Sequence, residues 1–322
     1  MDSKNHCGLV LLTVALASCS SRKQEDPAVA TALPVGITAT DEGAVFKTDE
    51  YTLDPGQERF LCFAANAEED LVVESVSHTA RPGLHHVIFS KANVPEPDGF
   101  SECDTLFRLT WEPIYLTGAG ASSLDLPEGF AHRITAGTQM VAQLHLLNTT
   151  DKPIRDSVEI RLRASKAEAP KPVAGYAFGN FDVHLPPLQP SSLQGECDVK
   201  EDVHILAAFP HMHLLGKRLT FDVARAGGEF AQVFERNPYD FDDQHMESLD
   251  LLLSVGDRTR VNCEYENPYD HEITFGESTT NEMCFLVGFA ADREKISGCM
   301  SRPAAAPTAG TATPWPAPTP AP

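Results

Sequence analysis

The chain has 322 residues, 46 acidic against 25 basic side chains and a formal net charge of −21. So acidic a surface repels nucleic acid and offers no basic patch to an anionic membrane. With 42% hydrophobic residues and eight cysteines, it has the means to bury and cross-link a sizeable core.

Lys4 precedes an apolar segment, Gly8 to Ala17, that is too short to span a bilayer. The run Leu16-Ala17-Ser18-Cys19 resembles the lipobox of a bacterial lipoprotein signal. That resemblance implies a signal peptide over residues 1–18 and a lipid on Cys19; ordinary secretion is the alternative. Ser20 resembles outer-membrane sorting, so the expected location is the bacterial envelope, with membrane contact through the lipid anchor only. Residues 19–39 are rich in Ala, Pro, Ser and charge and read as a flexible tether. Residues 303–322 are almost all Ala, Pro and Thr and are expected to be disordered.

The body between reads as all-β. Ser157 to Arg163 alternates apolar and charged residues, a half-exposed strand, and Leu219 to Arg225 does the same. Gln139 to Leu147 and Met283 to Phe289 are more apolar, as inner strands are. Turn signals recur at Pro82-Gly83, Glu128-Gly129, Gly227-Gly228, Asn237-Pro238 and Asn267-Pro268. The expected architecture is two tandem antiparallel β-sandwich domains, jelly-roll-like, over residues 40–165 and 173–300. A polar, Pro-containing linker, Lys166 to Pro172, divides them.

Apart from Cys7 and Cys19, six cysteines remain: Cys62, Cys103, Cys197, Cys263, Cys284 and Cys299. An even number without any C-x-x-C pair argues for disulfides over metal thiolates. If pairing stays within domains, Cys62 pairs with Cys103; the other four stay open.

His211 and His213 follow the apolar run Val203 to Phe209. Residues two apart on an extended chain share a face, so both imidazoles reach one metal ion. His85 and His86 are adjacent and face opposite ways on a regular strand; one metal takes both only where the backbone is irregular. His145 shares a strand face with Gln143 and completes a three-His set. Met283 adds a soft thioether to His211 and His213, which suits copper rather than zinc. His78, His132, His184, His204, His245 and His271 read as structural.

The ordered set Leu84-His85-His86, Gln143-Leu144-His145, His211-Met212-His213-Leu214-Leu215-Gly216 and Glu282-Met283-Cys284 resembles the copper type II, ascorbate-dependent monooxygenases. These include the peptidylglycine α-hydroxylating and dopamine β-hydroxylating enzymes. The resemblance spans about residues 40–300. It implies two β-sandwiches around a solvent-filled cleft, with one copper on each. It puts the electron-donating copper on His85, His86 and His145, and the oxygen-activating copper on His211, His213 and Met283. It also implies the disulfides Cys62–Cys103, Cys197–Cys299 and Cys263–Cys284. Two copper ions, O2, a small-molecule substrate and ascorbate or another one-electron reductant are thus the expected cofactors and partners.

The substrate contacts depart from the known branches. Where the amidating branch grips a peptide carboxylate with Arg, this chain has Phe209, and where that branch has Tyr it has Val287. With Phe285 on the same strand face, the expected pocket of Phe209, Phe285 and Val287 is apolar and takes an uncharged substrate. Three rival readings stand beside this one, the last a structural surface lipoprotein whose sites are empty, against which the six intact ligand residues argue. The first is a copper-buffering lipoprotein without turnover, although no His- or Met-rich tract is present. The second is a cupin-like oxygenase with one metal on His211, His213 and a carboxylate such as Glu282.

Overall fold

The computed structural model describes residues 33–103, 108, 110–118, 120, 122–276 and 280–301. The signal segment, Cys19 and the Ala/Pro/Thr tail lie outside the described residues. The described residues from Pro34 to Ser301 form one compact unit, and among them there are strands and no helix.

Alternation sets the strands. In Glu159–Ala164, Ile160 and Leu162 are buried while Arg161 and Arg163 face solvent. Gln139–Leu147 is buried at every interior position and lies central in its sheet, between Glu58–Asn66 and Leu84–Ala92. Gly99–Glu102 and Trp111–Thr117 complete these five strands. A second sheet of the N-terminal half, built on Gly43–Lys47, Glu159–Ala164 and Leu71–His78, covers them. Phe46, Val76, Phe89, Ile114, Leu144 and Ile160 meet in the core between the two sheets.

The C-terminal half repeats the arrangement. Lys171–Asn180, Cys284–Ala291, Val203–His211 and Glu247–Leu253 face the four strands Gln189–Asp198, Arg258–Asn267, Gly216–Ala224 and Phe230–Arg236. Phe178, Ile205, Leu219, Phe221, Val261 and Tyr265 fill this second core. The molecule is therefore two β-sandwiches, as the alternation predicts. Among the described residues the disulfides are Cys62–Cys103, Cys197–Cys299 and Cys263–Cys284.

Three features differ from the sequence reading. Gly36–Thr40 is a strand paired with Gly43–Lys47, so the folded body begins inside the expected tether. The two sandwiches also share a sheet, because Phe130 and Ala131 pair in parallel with Lys171 and Pro172 and join both halves into eleven strands. Finally, the outer face of the C-terminal sheet is covered: Leu206, Ala207, Phe209 and Phe289 pack into the first core, and Val287 lies against it. Phe209 and Val287 are register partners in that packed seam, whereas the expectation put them on an open cleft.

Candidate metal centre

His145 lies opposite His86 in the antiparallel ladder, and the register breaks immediately after this pair, so that Leu146 pairs with Leu84. His85 is the extra residue of a β-bulge. Leu84 and Val87 both enter the core, so the bulge throws both intervening histidines onto the outer face of the sheet. This resolves the difficulty of adjacent ligands on one strand. Gly83 supplies the turn into the bulge with φ at +76°, a backbone region that favours glycine.

The three imidazoles converge. Their ring nitrogens lie within 4.8 Å of one another, and His86 Nδ1 faces His145 Nδ1 at 3.3 Å. Two nitrogens so placed need a shared proton or cation between their lone pairs. His145 donates from Nε2 to Glu58 Oε1 at 2.6 Å, which leaves its lone pair on Nδ1. His85 is tied through Nε2 to Asp242 Oδ1 at 2.8 Å, and its Nδ1 is buried without a partner, as is His86 Nε2. Phe60 stacks flat on His145, with ring centroids 4.3 Å apart. Burial holds His86 well below its ordinary pKa, and the neighbouring His145, His85 and His211 push the same way. Burial also lowers His145, against the pull of Glu58. Neutral imidazoles with outer nitrogens held by carboxylates are the form that binds metal.

The second group sits where Val203–His211 ends. His211 follows the parity of Ala207 and Phe209, which face the N-terminal half. The His211 and His213 rings are 5.2 Å apart. His211 donates from Nδ1 to Gln244 Oε1 at 2.9 Å and His213 from Nδ1 to the Asn281 carbonyl at 3.0 Å. Both rings then present a lone pair on Nε2. Burial lowers the His211 pKa.

Glu282 fastens Met283 beside this pair. Its carboxylate accepts the backbone N–H of His213 at 2.9 Å, of Leu215 at 2.7 Å and of Met283 at 3.3 Å. Burial pushes its pKa up to about 7, against the pull of these donors. Both oxygens are engaged by backbone, so Glu282 acts as a staple rather than as the third ligand of a cupin-like site. Tyr239 clamps the same turn through Met212 N and O at 2.9 and 2.6 Å. A Cβ on Gly216 would lie 2.8 Å from Met212 Cε and 2.9 Å from its Cβ, so the last residue of His-Met-His-Leu-Leu-Gly must be glycine.

Phe285 does not join Phe209 and Val287. It packs with Phe181 and Phe275 at 5.0 and 6.2 Å. Gln143 is buried on the His145 face with neither amide atom bonded.

The C-terminal half also has relatives. The profile of the copper type II ascorbate-dependent monooxygenase C-terminal domain matches residues 178–306, the stretch that carries His211, His213, Glu282 and Met283. The C-terminal half is thus similar to the C-terminal domain of this copper-dependent monooxygenase family. DBH-like monooxygenase protein 2 of Mus musculus is 29% identical over 248 residues, 68% of this chain and 40% of that protein. DBH-like monooxygenase protein 1 of Homo sapiens is 23% identical over 231 residues, 64% of this chain and 36% of that protein. The chain thus spans about two fifths of the length of the first of these relatives. Among solved structures, the major capsid protein P2 of bacteriophage PM2 aligns at a TM-score of 0.33 and 10% identity, over 77% of this chain and 99% of that one, which carries no argument.

Copper fits the donors present here. Three converging imidazoles, two of them with a partnerless buried nitrogen, suit a borderline cation, and His211 and His213, tied through Glu282 to Met283, add a soft thioether that suits copper in its reduced state. Sequence reasoning missed Glu58, Asp242, Gln244 and the staple role of Glu282. An acid directly before Met283 in an apolar run was the signal available for Glu282; the other three carried none.

Proposed function

We propose that this chain is a copper-dependent monooxygenase that places one atom of O2 into a C–H bond of a small, uncharged, largely apolar substrate. Electrons come from an external one-electron reductant, ascorbate or a substitute. The observation that carries the reading is the pairing of a three-His group with a His-x-His group backed by Met283, with an outer ring nitrogen of His85, His145, His211 and His213 held. His85, His86 and His145 would hold the electron-donating copper; His211, His213 and Met283 would hold the copper that meets oxygen. Copper supplies one-electron chemistry and oxygen activation there. The protein supplies neutral ligands, fixed ring orientations and a turn locked by Glu282 and Tyr239.

Phe181, Phe275 and Phe285 form an aromatic cluster close to Met283. It favours an apolar substrate over a peptide. We also propose export and lipid anchoring through Cys19, on the strength of Leu16-Ala17-Ser18-Cys19; loss of palmitate labelling in Cys19→Ser tests it.

The first test is copper per chain, by elemental analysis of protein starting after Cys19. Two coppers are expected in the wild type, and one in His145→Ala and in Met283→Ala. One copper or none in the wild type overturns the mechanism. Reductant-coupled oxygen uptake with apolar aromatic substrates separates an enzyme from a copper buffer, and efficient turnover of a glycine-extended peptide would contradict the substrate class.

A further inference from the structure

One short loop of the C-terminal half reaches both histidine groups. Asp242 Oδ1 accepts from His85 Nε2 at 2.8 Å. The Phe241 ring lies 5.4 Å from His85, stacked, and 6.3 Å from His213, edge-on. A single benzene ring therefore separates an imidazole of one group from an imidazole of the other. Gln244 Oε1 accepts from His211 Nδ1 at 2.9 Å, and the Gln244 backbone carbonyl accepts the Gly118 N–H of the N-terminal half. A Cβ on Gly118 would fall 2.7 Å from that carbonyl oxygen, so the approach needs glycine.

The loop has its own bracing. Gln244 Nε2 donates to the Phe241 carbonyl at 2.8 Å, and the Asp242 N–H to Asp240 Oδ1 at 2.9 Å. Tyr239, at its start, is anchored through its N–H to the Lys217 carbonyl and through its hydroxyl to Met212. The histidines are thus held by a preformed structure.

The Asp242 side chain is 75% exposed, so its hydrogen bond with His85 adds little to stability. Its effect is directional, because a carboxylate on Nε2 fixes the tautomer and the ring plane and leaves Nδ1 as the ligand atom. Glu58 does this for His145 from within the N-terminal half. Asp242 does it for His85 from the opposite half.

We infer that Phe241, Asp242 and Gln244 form a clasp between the halves: Asp242 positions His85, Gln244 positions His211, and Phe241 fills the space between the two groups. The inference rests on reading these groups as the copper sites. Its consequence is that the metal affinity of the N-terminal group is set in part by an exposed residue of the C-terminal half. All three are positioning residues.

The test is a copper(II) titration against a competing chelator, with the paramagnetic resonance spectrum of each site recorded. Asp242→Asn is expected to weaken binding at His85, His86 and His145 by about 10–100-fold, while leaving the other signal unchanged. Gln244→Ala is expected to do the reverse, and Phe241→Ala to weaken both. Affinities within threefold of wild type in all three variants overturn the clasp. So does Asp242→Asn acting at the His211 site. Amide exchange on the metal-free protein gives a second reading that needs no copper. Phe241→Ala is expected to raise exchange several-fold over Leu84–Val87 in the N-terminal half, and unchanged exchange there overturns the inference. Should the wild type bind no copper, the function proposed above fails, and the exchange experiment alone decides the clasp. Asp242→Asn is a surface change that keeps the fold if Phe241→Ala does not.

Discussion

Glu282 shows how much one buried residue can organise. Three backbone donors end on its carboxylate, and each left unmet in the interior costs about 1–3 kcal/mol. Glu282→Ala is expected to destabilise the protein by at least about 3 kcal/mol and to release the copper of His211, His213 and Met283 while the other site keeps its own. Urea denaturation and the copper count check both parts. His132 offers a test in pH. It is buried at the seam, with Nδ1 on the Val173 carbonyl at 3.1 Å and its ring against Phe289. Burial, helped by nearby Lys91, lowers its pKa from 6.5 to about 3. The unfolded chain therefore takes up a proton below 6.5 that the native state refuses until about 3, and stability falls with falling pH across that window. The expected loss is about 2 kcal/mol between pH 6.5 and 5. His132→Gln should shrink the acid slope by that amount, and an unchanged slope would refute the assignment. Buried His86 and His211 act in the same direction, so some slope persists in the variant.

At the scale of elements, strand alternation was legible in the sequence and the irregularities were not. Ile160 and Leu162 announced their strand, and Leu219, Phe221 and Val223 theirs. His211 and His213 could be paired from spacing alone. His85 and His86 could not, because the bulge depends on how Leu84 and Leu146 find each other across the ladder. Phe241, Asp242 and Gln244 belong to a polar loop with no motif, and their meaning lies in contacts with His85 and His211 far away in sequence. Cys263–Cys284 is the element that sets the position of Met283. It ties Arg258–Asn267 to the first residue of Cys284–Ala291, and Tyr265 donates to the Met283 carbonyl at 2.8 Å on the same side. Replacing both cysteines by serine is expected to cost about 3 kcal/mol, the value for closing a loop of this length. The double variant should also weaken copper only at the His211 site. Equal loss at both sites would show that the bridge acts on the fold as a whole.

For the whole molecule, the linker marked a division that the chain makes only in part. Two cores form, as the sequence implies, but Phe130–Ile134 and Lys171–Asn180 carry one sheet across the boundary. Phe209 and Phe289 of the second half complete the first half's core. Such burial of apolar surface couples the halves. One calorimetric unfolding transition is therefore expected for the metal-free protein, with the calorimetric and van't Hoff enthalpies equal. Two resolved transitions would mean that the shared sheet contributes little. No sequence pattern could show this seam, because Phe209 and Val287 read equally well as pocket or as packing until their neighbours were known.

The bulge at His85 shows how little separates this group from plain structure. Without that residue, Leu84 and His86 would be consecutive, and the strand would pair with Gln139–Leu147 without interruption. What remained would be an ordinary inner ladder with His86 facing His145. The third imidazole thus hangs on a single residue beyond the regular register, and deleting His85 alone would leave two.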